Sequence, residues 1–174
     1  MRMHDGSLIV RVKAAESESL MPSFTTRRRV PYTARQMYDL VADVETYPQF
    51  LPLTESLRVR SKETVGGHEV LVADMTAGYK AIRETFVTRV TLFPEIPKVE
   101  VRYIDGPFHH LNNRWRFLAV EGGCEIDFYI DYEFKSRMLG LLVGAVFDQA
   151  FRKFAEAFEA RARVVYGVNA ARVT

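Results

Sequence analysis

Residues 137–167 read RMLGLLVGAVFDQAFRKFAEAFEARARVVYG, and the spacing of their apolar side chains decides the fold. Leu139, Leu142, Val143, Val146, Phe147, Ala150, Phe151, Phe154, Phe158, Ala162 and Val165 recur at steps of three and four. That spacing predicts one long amphipathic α-helix with a stripe facing a core. Ser136 suits the N-cap, and Gly167 stands where a helix commonly stops. On the wet side, Asp148 with Arg152 and Glu159 with Arg163 are i,i+4 ion pairs. The two halves differ. Met138 to Phe147 is apolar all round and holds Gly140 and Gly144, each costing about 1 kcal/mol relative to Ala in a helix interior. We expect a loop, a ligand or a partner to approach closely there. The helix reads as the lid of a cavity whose walls the rest of the chain must supply.

The chain has 174 residues, enough for one domain with a real core. Its 24 basic and 22 acidic residues are mixed and leave a net charge of +2, a poor footprint for DNA or RNA. The run Arg27, Arg28, Arg29 must alternate sides in a strand and reads as a solvated edge. Cys124 is the only cysteine, which excludes an intrachain disulfide and a cysteine zinc site and suits a reducing compartment. The longest apolar run, Met138 to Phe147, is too short to cross a bilayer. Residues 1–21 lack the apolar centre of a signal peptide, carry acids that a transit peptide avoids, and are expected to form a flexible extension.

Ser23 to Val30 reads as an edge strand, and Thr33 can cap a short helix carrying Met37, Leu40 and Val41 and ending near Asp43. In VETYPQFLPLTES, Pro48 and Pro52 preclude a long helix. Its Tyr47, Phe50, Leu51 and Leu53 either plug one end of the core or form a cavity rim. Leu57 to Glu63 is a strand, Gly66-Gly67 a hairpin signal, and His68 to Ala77 the return. Tyr79 to Phe93 reads as one long strand, followed by Val99 to Ile104. DGPFHHLNN reads as a stiffened loop leading into the strand Asn113 to Val120. After Gly122-Gly123, Glu125 to Phe134 alternates cleanly. Ile126, Phe128, Ile130, Tyr132 and Phe134 share one face; Asp127, Tyr129, Asp131 and Glu133 take the wet one. An antiparallel sheet with one apolar face and a single long amphipathic helix imply an α+β packing in which the sheet curls around the helix and leaves an elongated apolar tunnel.

Four stretches carry a resemblance: VADVETYPQFLPL (Val41–Leu53), YKAIRETFVTRVTL (Tyr79–Leu92), GPFHHLNNRWRF (Gly106–Phe117), and YEFKSRMLGLLVGAVFDQAF from Tyr132 with AFEARA ending at Ala162. With YP-x-F-x-P and GPF-x-x-L-x-x-x-W-x-F in combination, the chain resembles the coenzyme Q-binding proteins of the START-like (polyketide cyclase/dehydrase) superfamily. Bacterial relatives of that family also carry a ribosome-association toxin label. It departs after Pro52, where members often continue Trp-Cys and this chain has Leu53-Thr54. The resemblance implies a helix-grip fold over residues 22–167, a tail at 168–174, and ubiquinone bound in the tunnel without a catalysed reaction.

The residues expected to line that tunnel are Tyr47, Phe50, Leu51, Leu53, Glu84, Phe86, Phe108, Leu111, Asn113, Trp115, Phe117, Phe134, Val143 and Phe147. Strand parity puts Glu84 beside Ile82, Phe86 and Val90 on the core side. There it would either carry a raised pKa, as a general acid does, or pair with Arg102, Arg114 or Arg116, which is the plainer account. Trp115 is a core residue or a flat wall for a quinone ring with its N–H toward a carbonyl. Asn113 needs partners if buried and could orient a polar head. Phe151 onward is expected to pack on the sheet, leaving Val143 and Phe147 as the cavity residues of the helix. His109-His110 has no ligands at metal spacing and reads as loop polarity.

Three functional readings follow. The first is a non-enzymatic ubiquinone carrier or chaperone supporting respiratory electron transport. It would be cytoplasmic in a bacterium and touch the inner membrane through an exposed patch of Phe50, Leu51, Met138, Leu141 and Ala145. The second is a ribosome or respiratory-complex interaction module using the same patch. The third is an aromatase/cyclase-like enzyme using Glu84. No catalytic cofactor or metal is expected.

Overall fold

The structure, a computed structural model, describes residues 22–168. The expected extension at 1–21 and nearly all of the tail lie outside the described residues. Seven strands form one antiparallel sheet: β1 Ser23–Val30, β2 Thr54–Val65, β3 His68–Tyr79, β4 Ile82–Phe93, β5 Lys98–Asp105, β6 Phe108–Val120 and β7 Gly123–Phe134. Their order in space is β1-β7-β6-β5-β4-β3-β2, so every consecutive pair after β1 is a neighbour and β1 closes against β7. Register breaks in β2–β3, β4–β5 and β6–β7 add the bends that let one sheet curl. On the inner face, one row crosses four junctions in register: Leu71, Val90, Val101, Asn113 and Ile130.

Helix α1, Ala34–Ala42, starts at a capping box in which the Thr33 hydroxyl accepts from the Gln36 N–H and the Gln36 side chain accepts from the Thr33 N–H. A 3-10 helix, Val44–Gln49, carries Pro48. The C-terminal region is where expectation and structure part. It is two helices, α2 Arg137–Arg152 and α3 Phe154–Tyr166, with Lys153 between them. The Lys153 N–H reaches back to Ala150 and Phe151 rather than continuing the regular ladder. The break lets two halves of one aromatic stripe follow a curved sheet. Phe147 packs edge-on against Phe134 at 5.7 Å and Phe151 against Tyr132 at 5.1 Å. Beyond the break, Phe154 faces Phe128 at 6.1 Å and Phe158 faces Trp115 at 5.0 Å.

Several smaller expectations change. Tyr79 ends β3 rather than beginning β4, because the chain turns at Lys80-Ala81 with Lys80 in the left-handed region at φ 54°. The loop read in DGPFHHLNN shrinks to Gly106-Pro107. From Phe108 onward the chain is paired with β7, Leu111 against Tyr132 and Asn112 against Asp131. Gly106 has φ 137°, and a Cβ there would sit 2.9 Å from the Phe86 Cα, so a close backbone crossing demands glycine. Asp127, expected on the wet face, is buried, because in register it lies between Arg27 of β1 and Arg116 of β6. Nothing approaches the helical glycines tightly: a Cβ on Gly140 would meet Phe134 at an ordinary 3.6 Å, and one on Gly144 would meet nothing within 4 Å.

Candidate functional site

The concave face of the sheet supplies alternate side chains to a hollow under the helices. Ala73 and Met75 come from β3, Phe86, Thr88 and Val90 from β4, Val101 from β5, Leu111, Asn113 and Trp115 from β6, and Ile130 from β7. Val44, Tyr47 and Leu51 close one end, and Phe151, Phe154 and Phe158 roof it. Its cavity volume is about 70 Å³. One water needs roughly 10–15 Å³ on such a measure, while an apolar cavity that admits benzene is about 150 Å³. The interior is therefore hollow and oily, yet too narrow as it stands for a prenyl tail. The elongated tunnel expected from the sequence is largely filled by the protein's own rings.

The Asn113, Trp115 and Tyr47 polar groups are already engaged. The Asn113 amide donates to the Tyr129 carbonyl at 2.9 Å, and its oxygen accepts from the Trp115 indole N–H at 3.0 Å. That indole is thus committed to the protein instead of being free for a ligand carbonyl. The Tyr47 hydroxyl donates to the Val41 carbonyl, and burial pushes its pKa well above the ordinary tyrosine value.

Of the residues expected in the tunnel, Tyr47, Leu51, Phe86, Leu111, Asn113 and Trp115 line the cavity. The others lie outside its lining. Phe108 is buried and stacks on Phe134 at 4.8 Å; Phe117 packs edge-on against Tyr38 at 6.3 Å. Phe50 meets Phe158 at 5.0 Å beneath the Arg161 guanidinium. Leu53 sits at a left-handed turn, φ 62°. Phe151, Phe154 and Phe158 pack on rings of β6 and β7 as expected and also line the space, whereas Val143 and Phe147 are buried outside its lining. The reason is the bend at Lys153, which carries the second half of the stripe over the cavity. Glu84 is half-buried with the expected parity, but the cavity lining does not include it, and none of the ion pairs among the described residues involves it. Arg102, Arg114 and Arg116 alternate with the inward residues Val101, Asn113 and Trp115 and so project from the opposite face. Met75, Thr88 and Val90 were missed; inward parity on β3 and β4 was the available signal.

A second hollow, an open groove of about 620 Å³, lies between the end of β7 and α2. Tyr132, Phe134, Gly140, Leu141, Gly144 and Ala145 form its walls. Beside it Leu141 is 87% and Met138 71% exposed, with Leu142 and Ala145 also at the surface. Leu51 does not join this patch: it is 5% exposed because the turn after the 3-10 helix folds it into the cavity, its N–H bonding to Tyr47 at 2.8 Å. Phe50 is held against α3 and is half-buried. Of the residues expected in the patch, the exposed ones, Met138, Leu141 and Ala145, all lie on α2; Val164 and Val165 near the end of α3 are exposed as well. No helix among the described residues is long and apolar enough to cross a membrane. His110, expected in a loop, lies on β6 with Nε2 3.0 Å from Asp131. Among the described residues no cluster of three or more His, Cys, Asp or Glu is placed to hold a metal.

The chain is 35% identical over 153 residues to the "Ribosome association toxin RatA" of Escherichia coli, spanning 87% of this chain and 94% of that protein. It is 33% identical over 141 residues to the "Coenzyme Q-binding protein COQ10 homolog B, mitochondrial" of Xenopus laevis, 78% of this chain and 56% of that one. A START superfamily protein from Mycobacterium smegmatis has the same fold, with a TM-score of 0.67 at 20% identity over 83% of this chain and 98% of that one. The α+β sheet gripping C-terminal helices is thus the START-like, helix-grip fold. The sequence profile of the family described as "Polyketide cyclase / dehydrase and lipid transport" matches residues 30–159, and the chain belongs to that family.

Proposed function

We propose that this protein binds ubiquinone or a related prenylated lipid between its sheet and its C-terminal helices, as a carrier or chaperone for respiratory electron transport rather than as an enzyme. The observation that carries this is the cavity under the helices, whose lining is apolar apart from Thr88, Asn113 and the Tyr47 hydroxyl. A flat ring would meet Trp115 and Phe158 there, and a tail would leave toward α2. Because the cavity holds only about 70 Å³, a long-tailed lipid enters by displacing α2, and the arrangement described here is the closed one. The exposed Met138, Leu141 and Leu142 give α2 an apolar face for the cytoplasmic surface of the inner membrane. The name of the Xenopus relative agrees with this ligand. Organic extraction of the purified protein followed by mass spectrometry tests it. A prenylated quinone in near-stoichiometric amount is expected; a protein that carries none, and takes none up from quinone-loaded vesicles, contradicts the reading.

A second reading, ribosome association, is favoured by the name of the Escherichia coli relative, which this chain matches over nearly that protein's whole length. Sedimentation with ribosomal subunits through sucrose separates the two, since a lipid carrier stays at the top. A cyclase using Glu84 ranks third, because that carboxylate lies outside the cavity lining. Retained cellular function in Glu84→Gln would remove it.

A further inference from the structure

The convex face of the sheet gathers charges that look dispersed along the chain. β4, β5 and β6 place Arg89 directly opposite Arg102, and Lys98 directly opposite Arg116, with Arg114, itself opposite Glu100, between the two pairs. Like charges facing each other across strands are destabilising. Between Arg102 and Arg114 lies a recess of about 340 Å³, walled by Glu100, Asn112, Tyr129 and Asp131 as well. Its carboxylates already have neighbours: Glu100 pairs with Lys98 at 2.8 Å, and Asp131 accepts from Asn112 at 3.3 Å and lies 3.0 Å from His110 Nε2. Arg89, Arg102 and Arg114 take part in none of the ion pairs among the described residues. Arg114 lies over the Tyr129 ring, 5.3 Å from its centroid, and its Nε is buried without an acceptor.

We propose that this recess and the arginines beside it bind the phosphates of a single-stranded RNA backbone. The chemistry asks for an anion with several acceptor oxygens, since guanidinium groups pair with phosphate in bidentate fashion. Arg89 and Arg102, paired in register and free of ion pairs among the described residues, extend the positive charge on one side past a single phosphate, which favours a polyanion over a free ion; on the other side Arg116 faces the Asp127 carboxylate. A lipid surface is disfavoured by position. The apolar patch is on α2, which packs on the concave face, and the exposed apolar residues here, Ile104 and Leu118, stand at opposite ends of their strands. The inference deepens the ribosome reading and is independent of the cavity.

The test is fluorescence anisotropy of the full chain with a labelled oligouridine, at several salt concentrations. Binding should weaken steeply with salt, as phosphate contacts do. Arg102→Gln with Arg114→Gln should raise the Kd about tenfold and flatten the slope of log K against log salt by about 1.4, the loss of two single-strand phosphate contacts. Arg35→Gln on α1 should change neither. Should the half-buried Arg114 prove needed for folding, Arg89→Gln with Arg102→Gln, both exposed, is expected to give the same loss. An unchanged slope in that second variant overturns the proposal, as does equal binding to phosphatidylglycerol vesicles or competition by millimolar inorganic phosphate. Co-sedimentation with ribosomal subunits that survives these substitutions also overturns it, while leaving the ribosome reading in place.

Discussion

Helices α2 and α3 come from one continuous amphipathic stripe, yet they are held in different ways. α3 is tied down from three directions. Tyr166 donates to the Gln36 carbonyl at 3.1 Å, Arg161 to Gln49 at 2.9 Å, and Arg28 of β1 pairs with Glu159. Just past its end, Tyr32 donates to the Gly167 carbonyl at 2.7 Å. The polar bonds made by α2 side chains are local: the Ser136 cap and the Asp148–Arg152 pair at 2.9 Å. Its longer-range polar contact is Arg152 over the Phe24 ring at 4.5 Å. α2 buries Val143, Phe147, Ala150 and Phe151 but leaves Met138, Leu141 and Leu142 in water. The difference is one of anchoring: α3 is fixed by polar bonds to three other elements, and α2 is held mainly by its apolar face.

The comparison breaks most visibly at Phe158. This ring is fully buried between Trp115, Tyr47 and Phe50, so Phe158→Ala should cost about 3–5 kcal/mol in urea denaturation. A loss near 1 kcal/mol would mean that α3 is not the roof. Alkali should act next. Burial holds the Cys124 thiol up, from 9.0 to about 12, and the Tyr132 hydroxyl, from 10.0 to about 12. Both folded values lie above the unfolded ones, so the folded chain keeps protons that the unfolded chain releases. Their stability is complete below pH 9 and is lost progressively toward pH 12. Denaturation midpoints should be flat from pH 7 to 9 and fall beyond it; a rise would reverse the assignment.

Smaller effects sharpen the contrast. Tyr32→Phe removes one anchor beyond α3 and should cost about 1 kcal/mol. Gly144→Ala should do the opposite, adding about 0.5–1 kcal/mol and a few degrees of Tm, because a Cβ there meets nothing. Calorimetry on that variant decides whether the α2 groove is empty in the free protein. Leu141→Asp should change stability by less than about 0.5 kcal/mol. Loss of vesicle flotation in the same variant would assign the exposed face to lipid; unchanged flotation would detach α2 from the membrane.

The parts of this fold written in local chemistry were readable from the sequence. Thr33 and Ser136 cap their helices, Gly66-Gly67 turns its hairpin, and the alternation on β7 chose its buried face; the second hairpin turns one residue early, at Glu121-Gly122, with Gly123 already paired to Val120. Features set by packing were not. The turn at Lys80-Ala81 uses no glycine, proline or asparagine, so nothing marked the end of β3. Lys153 interrupts the helix without a helix-breaking residue, because the cause is the curvature of the sheet beneath it. The polar run from His109 to Asn113 looks like a loop until β7 pairs with it. The site suffered most from this. Which inward side chains border a gap, and which fill it, depends on how the two helices lean, and so Phe151, Phe154 and Phe158 border it while Val143 and Phe147 do not. The charge pattern of the convex face was likewise invisible until strand register placed Arg89 beside Arg102.

The central claim, a lipid held under α3 and admitted past α2, has a built-in reporter. Trp115 is the only tryptophan in the chain and lines the cavity against Phe158. Titration with a short-chain ubiquinone should quench its fluorescence saturably at one ligand per chain, and Phe158→Trp should weaken binding by filling the space. Quenching that grows linearly without saturation, as collisions in solution produce, would contradict the account.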